Sequence, residues 1–290
     1  MIRRWLIFGL CVSVIATVLW LGLRDYFRSD CLEPGEYPDT ATVSGYLPDS
    51  LPEASGMAVS QVTPGLIWLH DDSGSGPVLI GMFPETGQSV RLAIPTRLAV
   101  DWEAMAIHDA QIYIADTGDN WGIRPTKVIH RLPEPAVTSD SLQGTHLDTL
   151  RFKYPDGRPD TEAMLVLPTG DILLITKKTG DLYRLDATGF DIESVQTAQR
   201  VGTLAYTPGD AAGYIVDAAW SDQHVVIRTY QSLLQWPGPL RIPVLQAIAP
   251  KIYNYTRDAR GEAIALTPDG VYTTSERCGS TRTPLYYMRF

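Results

Sequence analysis

Beyond about residue 40 the apolar positions do not follow a helical spacing. They alternate with polar ones, or gather in runs of four to six, between clusters of Gly, Pro, Asn and Asp. Such runs predict strands and such clusters predict turns. The pattern also repeats. SGMAVSQVTPGLIWLHDDSG begins at Ser55, VDWEAMAIHDAQIYIADTGDN at Val100 and TEAMLVLPTGDILLITKKTGDLYRL at Thr161. VDAAWSDQHVVIRTYQSLLQW begins at Val216, and GEAIALTPDGVYTTSERCGSTRTPLYYMRF at Gly261. Each copy has a small apolar run, a turn, a β-rich run and a polar end. A third strand often follows, as in VLIGMF, KVIHRL, DLYRL and PLYYMRF.

Aligned on Ser55, Glu103, Glu162, Asp217 and Glu262, the copies recur at intervals of 45–59 residues. Blade repeats of ~40–50 residues are typical of four-stranded propeller blades. With 21 Pro and 24 Gly punctuating the chain, the expected fold class is all-β. It is a single β-propeller of five four-stranded blades over residues 40–290. A sixth blade would require one badly degenerate copy. The last copy supplies three strands, and TATVSGYL (Thr40–Leu47) is an unassigned strand that could complete it. The alternative is an ordinary N-terminal edge strand.

The first 24 residues differ in kind. Arg3 and Arg4 precede 19 residues without a charge, Trp5 to Leu23. At about 1.5 Å per residue that run nearly spans a bilayer core of about 30 Å. Its exit, LWLGLRDYF, lacks the small residues of a cleavage site. The expectation is an uncleaved transmembrane signal anchor over residues 1–24, a linker over 25–39, and a domain outside the inner membrane in the periplasm, with cleavage and secretion as the alternative. Cys31 and Cys278 fall in the exported part, where they could pair as a disulfide or stay as separate thiols. No zinc-binding spacing is present.

The net charge of −9 argues against a nucleic-acid partner, which calls for a basic face. A small anionic ligand, held through a bound cation, or an envelope protein remains compatible with that charge. The expected state is a monomer.

In a propeller blade the first strand runs down the central channel and the second runs back. The start of one and the end of the other therefore share a rim. That places Asp101, Glu103, Asp116, Asp119 and Asn120 at one mouth, with Glu53, Asp71, Asp72, Asp160, Glu162, Asp217, Glu262 and Glu276 from the other copies. Lys177, Lys178 and Arg228 stand at the corresponding second-strand ends. Crowded carboxylates need a cation, protons or basic partners. Calcium, with 6–8 oxygen ligands at about 2.3–2.6 Å, is one solution. Charge pairing without metal is the other. Lys177 and Arg228 could hold an anion beside the metal, within a ligand-binding set of Asp71, Asp101, Asp160, Asp217 and Glu276. His70 and His108 lie near rim acids in the sequence, and His70 is a weak candidate for a general base. DDSGSG (Asp71–Gly76) lacks the lysine of a phosphate loop, and no G-x-S-x-G elbow exists.

The segments SGMA…WLHDDSG, DWEAMA…IYIADTGDN…HRLPEP, YPDGRPDTEAMLV…ITKK, VIRTY and GEAIAL…TTSE resemble a group of bacterial secreted or anchored propeller proteins. More distantly the chain is similar to phytase-like and paraoxonase or lactonase-like calcium propellers. That resemblance implies calcium held by Glu103, Glu162 and Glu262, with Asp116 and Asn120 next. It also implies, as an alternative to ligand binding, calcium-dependent hydrolysis of phosphoesters or lactones. A metal-free envelope scaffold is the second alternative. The chain departs from those families in having Ser55 where another acid could stand, and five copies where they use six.

Overall fold

Short runs rich in β-branched and aromatic residues form the strands, because such side chains pack well on a pleated surface. The computed structural model describes residues 41–97, 99–144, 146–191, 193–254, 261–277 and 282–290. The apolar N-terminal run, the linker and both Cys31 and Cys278 lie outside the described residues. No helix among the described residues is long and apolar enough to cross a membrane.

Strand β1 is Ala41–Tyr46. The first blade follows with β2 (Ala54–Val59), β3 (Ile67–Asp71), β4 (Val78–Met82) and β5 (Ser89–Ala93). The second contains β6 (Trp102–His108), β7 (Gln111–Asp116) and β8 (Lys127–Pro133). Before it ends, β9 (Ser141–Gln143) returns to pair in parallel with β5, and β10 (Asp148–Lys153) then completes the second blade. The third blade comprises β11 (Thr161–Val166), β12 (Ile172–Thr176) and β13 (Asp181–Leu185). β14 (Gln196–Thr197) pairs in parallel with β10, and β15 (Gln199–Thr203) closes the third blade. The fourth has β16 (Ile215–Trp220), β17 (His224–Thr229), β18 (Ser232–Pro237) and β19 (Lys251–Asn254). The fifth has β20 (Gly261–Thr267), β21 (Gly270–Ser275) and β22 (Pro284–Arg289).

The result is a five-bladed, all-β propeller. Three blades have four strands, whereas the first two gain a fifth from β9 and β14. The sequence expectation of four strands per blade missed these two short parallel additions. The innermost strands β2, β6, β11, β16 and β20 pack in turn, and β20 returns to β2. The fifth blade is completed by β1, which pairs antiparallel with β22 from Ala41 opposite Met288 to Tyr46 opposite Pro284. This join closes the ring and removes an open sheet edge.

The core is divided among the seams between blades. Ala58, Trp68, Leu92, Trp102 and Met105 fill the seam between the first and second blades. Phe152, Met164 and Leu174 belong to the next seam, followed by Ile175, Ile215 and Trp236. Val226, Ile264 and Met288 fill the fourth. Leu47, Met57, Leu69 and Ala263 join the fifth blade to the first. Apolar burial therefore holds blade to blade as well as strand to strand.

One irregularity recurs. Each innermost strand skips a residue in its pairing, between Ala54 and Gly56, Trp102 and Ala104, Thr161 and Ala163, Ile215 and Asp217, and Gly261 and Ala263. The extra residues in these bulges are Ser55, Glu103, Glu162, Val216 and Glu262. A bulge re-aims a side chain. The fourth copy is therefore one residue out of step with the alignment read from the sequence. Val216, not Asp217, is the counterpart of the three glutamates.

Leu47 is fully buried beside the closing strand, whereas Val43 on the same strand is 51% exposed. Leu47→Ala should lower the unfolding free energy by about 2–5 kcal/mol. Val43→Ala should change it by less than about 0.5 kcal/mol. Denaturant unfolding of both variants checks the contrast.

Candidate functional site

The bulges deliver carboxylates to one mouth of the channel. Two groups have oxygen atoms all within 4.8 Å of one another: Asp72, Asp101 and Glu103, and Glu103, Asp160 and Glu162. Glu103 belongs to both. It comes from the β6 bulge, Glu162 from the β11 bulge, Asp101 and Asp160 from the approaches to β6 and β11, and Asp72 from the position just after β3. Glu103, Asp160 and Glu162 are buried.

Hydrogen bonds within and between blades hold this arrangement. The N–H of Trp102 donates to the carbonyl of Asp72 at 3.0 Å, and that of Lys177 to the carbonyl of Asp160 at 3.1 Å. The Asp119 N–H donates to Asp160 Oδ1 at 2.8 Å, and the Thr117 hydroxyl to the carbonyl of Thr161 at 2.7 Å. Asp160 Oδ2 and Asp72 Oδ1 are buried with no hydrogen-bond partner. Leaving such atoms unpaired costs about 1–3 kcal/mol each, more when they are charged.

The loop ADTGDN is shaped around the carboxylates. A β-carbon at Gly118 would collide with Glu103 Oε1 and with the Asp101 carboxyl. Glycine is needed there for close approach of the backbone, not for an unusual torsion. The Gly118 carbonyl accepts from Arg124 Nη1 at 2.8 Å and Lys127 Nζ at 3.1 Å. Asp119 pairs with Lys127 at 2.9 Å, both side chains being 1% exposed, and accepts the N–H groups of Ile123 and Arg124 at 2.8 Å. Burial acts to raise the Asp119 carboxyl, but Lys127 and those two N–H groups hold it below the usual range.

Proton affinities follow from the crowding. Burial, then the Asp101 charge and a hydrogen bond with Asp101, push Asp72 up to about 9. Burial also raises Asp101 and, with Glu162, Asp72, Glu262 and Asp101 around it, raises Glu103 well above the usual carboxyl value. Glu162 is pushed up to about 8 by burial, against the opposing Lys177 charge. Burial disfavours the Lys177 ammonium, but Glu162, Tyr230 and Glu262 override it and raise its value. Lys177 is ion-paired with Glu162, and its Nζ lies 5.4 Å from the centre of the Tyr230 ring. The Tyr230 hydroxyl donates to Glu262 Oε1 at 3.4 Å.

Of the residues expected from sequence to hold a metal, Glu103 and Glu162 converge. Asp101 and Asp160, expected to bind ligand, join them, and so does Asp72. Glu262 stands at the same mouth, and its charge is felt by Asp72 and Glu103, but it is in neither triad. Asp116 is paired with Arg124 and accepts the Val100 N–H at 3.2 Å. Asn120 is exposed. Asp71 accepts the Glu53 N–H at 3.0 Å and the Ser75 hydroxyl, and so shapes its own loop; burial raises its carboxyl. Glu276 contributes charge near Asp72. Asp217 is fully buried and accepts the N–H groups of Ala218 at 2.8 Å and Ile264 at 2.7 Å, a tie from the fourth blade to the fifth. Burial raises it well above the usual range. Arg228 is likewise fully buried and donates to the carbonyl of Ala263 at 3.0 Å.

His70 is fully buried. Its Nδ1 lies 3.0 Å from the carbonyl of Asp71, its ring meets that of Trp102 edge-on at 5.6 Å, and burial pulls it down to about 4. His108 ends β6 at the opposite mouth. There a cavity of about 440 Å³ is lined by Met57, Met105, Leu165, Ala218, Ala265, His108 and Trp220. Asp72 joins a triad although the sequence offered only its place in DDSG; the signal was its adjacency to Asp71 at a strand end. Arg124 and Lys127 were not singled out from sequence, since nothing in DNWGIRPTK marks them as partners of the preceding acids.

No protein-family model matches the chain, and no curated sequence does. Similarity appears only in the fold. A catalytically inactive virginiamycin B lyase from Staphylococcus aureus with quinupristin aligns at 10% identity, covering 88% of this chain and 100% of that one, with a TM-score of 0.50. Regucalcin from Agrobacterium tumefaciens, a calcium-binding protein, aligns at 14% identity over 85% and 93%, with a TM-score of 0.47. A PQQ-bound aldose sugar dehydrogenase from Streptomyces coelicolor aligns at 12% over 87% and 99%, with a TM-score of 0.45. At these identities the likeness concerns architecture alone.

Removing one partner of a buried ion pair strands the other charge. Lys127→Ala should cost about 3–5 kcal/mol. Asp49→Ala, which breaks a 3.1 Å pair with Arg277 at an 85% exposed carboxylate, should cost under about 1 kcal/mol. Denaturant unfolding compares the two.

Proposed function

We propose that the acid mouth binds a divalent cation, calcium by its oxygen donor set, and with it a ligand presented at the channel entrance. One observation carries this reading. Glu103 is shared by two carboxylate triads whose Asp160 Oδ2 and Asp72 Oδ1 are buried without partners. Five carboxylates face two cations among the described residues, the ammonium of Lys177 on Glu162 and the guanidinium of Arg124, 4.0 Å from Asp101 and itself paired with Asp116. A hard cation accepts several oxygens from such a set and offsets their repulsion. The close approach of Gly118 supports the same reading, since it leaves the space occupied by the Glu103 and Asp101 carboxyl groups free of any side chain.

The proposed role is binding. A calcium-dependent phosphoesterase or lactonase would also need a base beside the cation. The His70 ring is enclosed between Gly56 and Trp102, which does not favour it for that task. The charge-free run Trp5–Leu23 supports placing the ring outside the inner membrane.

The test is calorimetric and thermal titration of the full chain with calcium, before and after EDTA. Calcium should raise the melting temperature by several degrees through preferential binding to the folded state. Gly118→Ala and Glu103→Gln should each abolish that rise. Glu103→Gln should at the same time raise the melting temperature of the metal-free protein, because it removes a carboxyl that folding must either protonate or leave charged among its neighbours. Indifference of the wild type to both calcium and EDTA would sink the reading and leave a metal-free interaction scaffold.

The pH dependence has a defined sign. A carboxyl whose folded pKa lies above its unfolded value favours folding at low pH, and that contribution is lost as pH rises through the folded value. With Asp72 at about 9 and Glu162 at about 8, the metal-free protein should lose stability between about pH 4 and pH 9. Calcium should reduce this loss and should release protons on binding near pH 7. Melting curves across that range, with and without calcium, measure both effects.

A further inference from the structure

A cavity of about 400 Å³ adjoins the carboxylate cluster on its outer side, with Asp160 in its wall. Its other walls come from separate loops: Asn120 and Trp121 between β7 and β8, Arg158 before β11, and Lys178 after β12. Trp121 is 87% exposed, and Ile123 two residues on is 68% exposed. A large aromatic surface left in water at the lip of a cavity, with the apolar Ile123 exposed beside it, calls for something to cover it. Arg158 and Lys178 are both exposed, and no carboxylate pairs with either among the described residues. Arg158 Nη1 donates to the carbonyl of Ile123 at 3.1 Å, which holds the guanidinium against the loop that carries Trp121.

We infer that this cavity is the ligand subsite of the cation centre, and that it takes an organic oxyanion, a phosphate or carboxylate attached to a planar ring. Arg158 and Lys178 face the anionic group, Trp121 covers the ring, and an oxygen of the anion reaches toward the cation at Asp160. The inference rests on the cation reading, because the order of binding follows from it. The carboxylates repel an anion until a divalent cation offsets their charge. Cation and anion therefore bind with positive coupling, and the coupling is reciprocal.

The experiment is isothermal titration of the full chain, first with calcium and then with phenyl phosphate, in calcium-loaded and EDTA-treated protein. Phenyl phosphate should bind the calcium-loaded protein at least tenfold more tightly than the metal-free protein. Inorganic phosphate, lacking the ring, and benzyl alcohol, lacking the charge, should each bind at least tenfold more weakly. Phenylacetate run in parallel identifies whether the site prefers carboxylate or phosphate. Trp121→Ala and Lys178→Ala alter exposed side chains outside both triads. Each should weaken binding of the preferred anion at least fivefold and leave calcium affinity unchanged. Calcium binding without binding of either aromatic anion, or anion binding indifferent to calcium or to both variants, overturns the inference alone. Absence of calcium binding overturns the cation reading and the inference with it.

Discussion

Carboxylates that share a half-dry channel cannot all keep their charge, and the architecture of the mouth is organised around that constraint. Some are settled by fixed cations. Asp119 has Lys127, Asp116 has Arg124, and Glu162 has Lys177. Others are settled by backbone N–H groups, as Asp217 is by Ala218 and Ile264. What remains is the group around Glu103, where burial and like charge raise proton affinity instead. Asp116, Asp119 and Asp217 are thereby tied into their own loops and neighbouring strands, whereas Glu162, with Lys177, and Asp101, 4.0 Å from Arg124, stay within the triads beside Glu103.

The geometry that produces this crowding is local. A single extra residue near the start of each innermost strand re-aims the side chain at that level, and the circular packing of five such strands brings the re-aimed groups together. Three of the five are glutamates, one is Ser55, and one is Val216. The ring is therefore chemically lopsided. Its carboxylates gather where the first, second and third blades meet, while Val216 leaves the fourth blade without an acid at the bulge. The same lopsidedness places the cationic loops of Arg158 and Lys178 beside the second and third blades.

Much of the fold was legible because its determinants are local: alternation, turn residues and repeat spacing belong to short stretches of chain. The closing role of Thr40–Leu47 was legible too, since a three-stranded last copy requires a partner, and β1 supplies it. The parallel additions β9 and β14 were not, because three-residue and two-residue strands carry no periodic signal. Within the site, Glu103 and Glu162 could be read from their recurring place in the copies. The fourth copy misled because VDAA offers an acid one position from the bulge, and sequence identity at that point outweighed register. Asp217 thereby lands opposite Arg228, in the place held by Ala104 and Ala163 in other blades. His108 misled in a similar way. It is seven residues from Asp101 in sequence, but a strand separates them and sets them at opposite ends of the channel. The partners of Asp116 and Asp119 depend on how the 117–126 loop folds back, which no linear pattern announces.

The closing strand has a directional consequence. Ala41 lies opposite Met288, at the end of β22 that pairs with Gly270, and thus on the face of the disc away from the carboxylates. The polypeptide enters the ring on that face. Whatever is joined ahead of Ala41 therefore attaches to the ring at the face opposite the acidic opening, and its point of attachment leaves that opening uncovered.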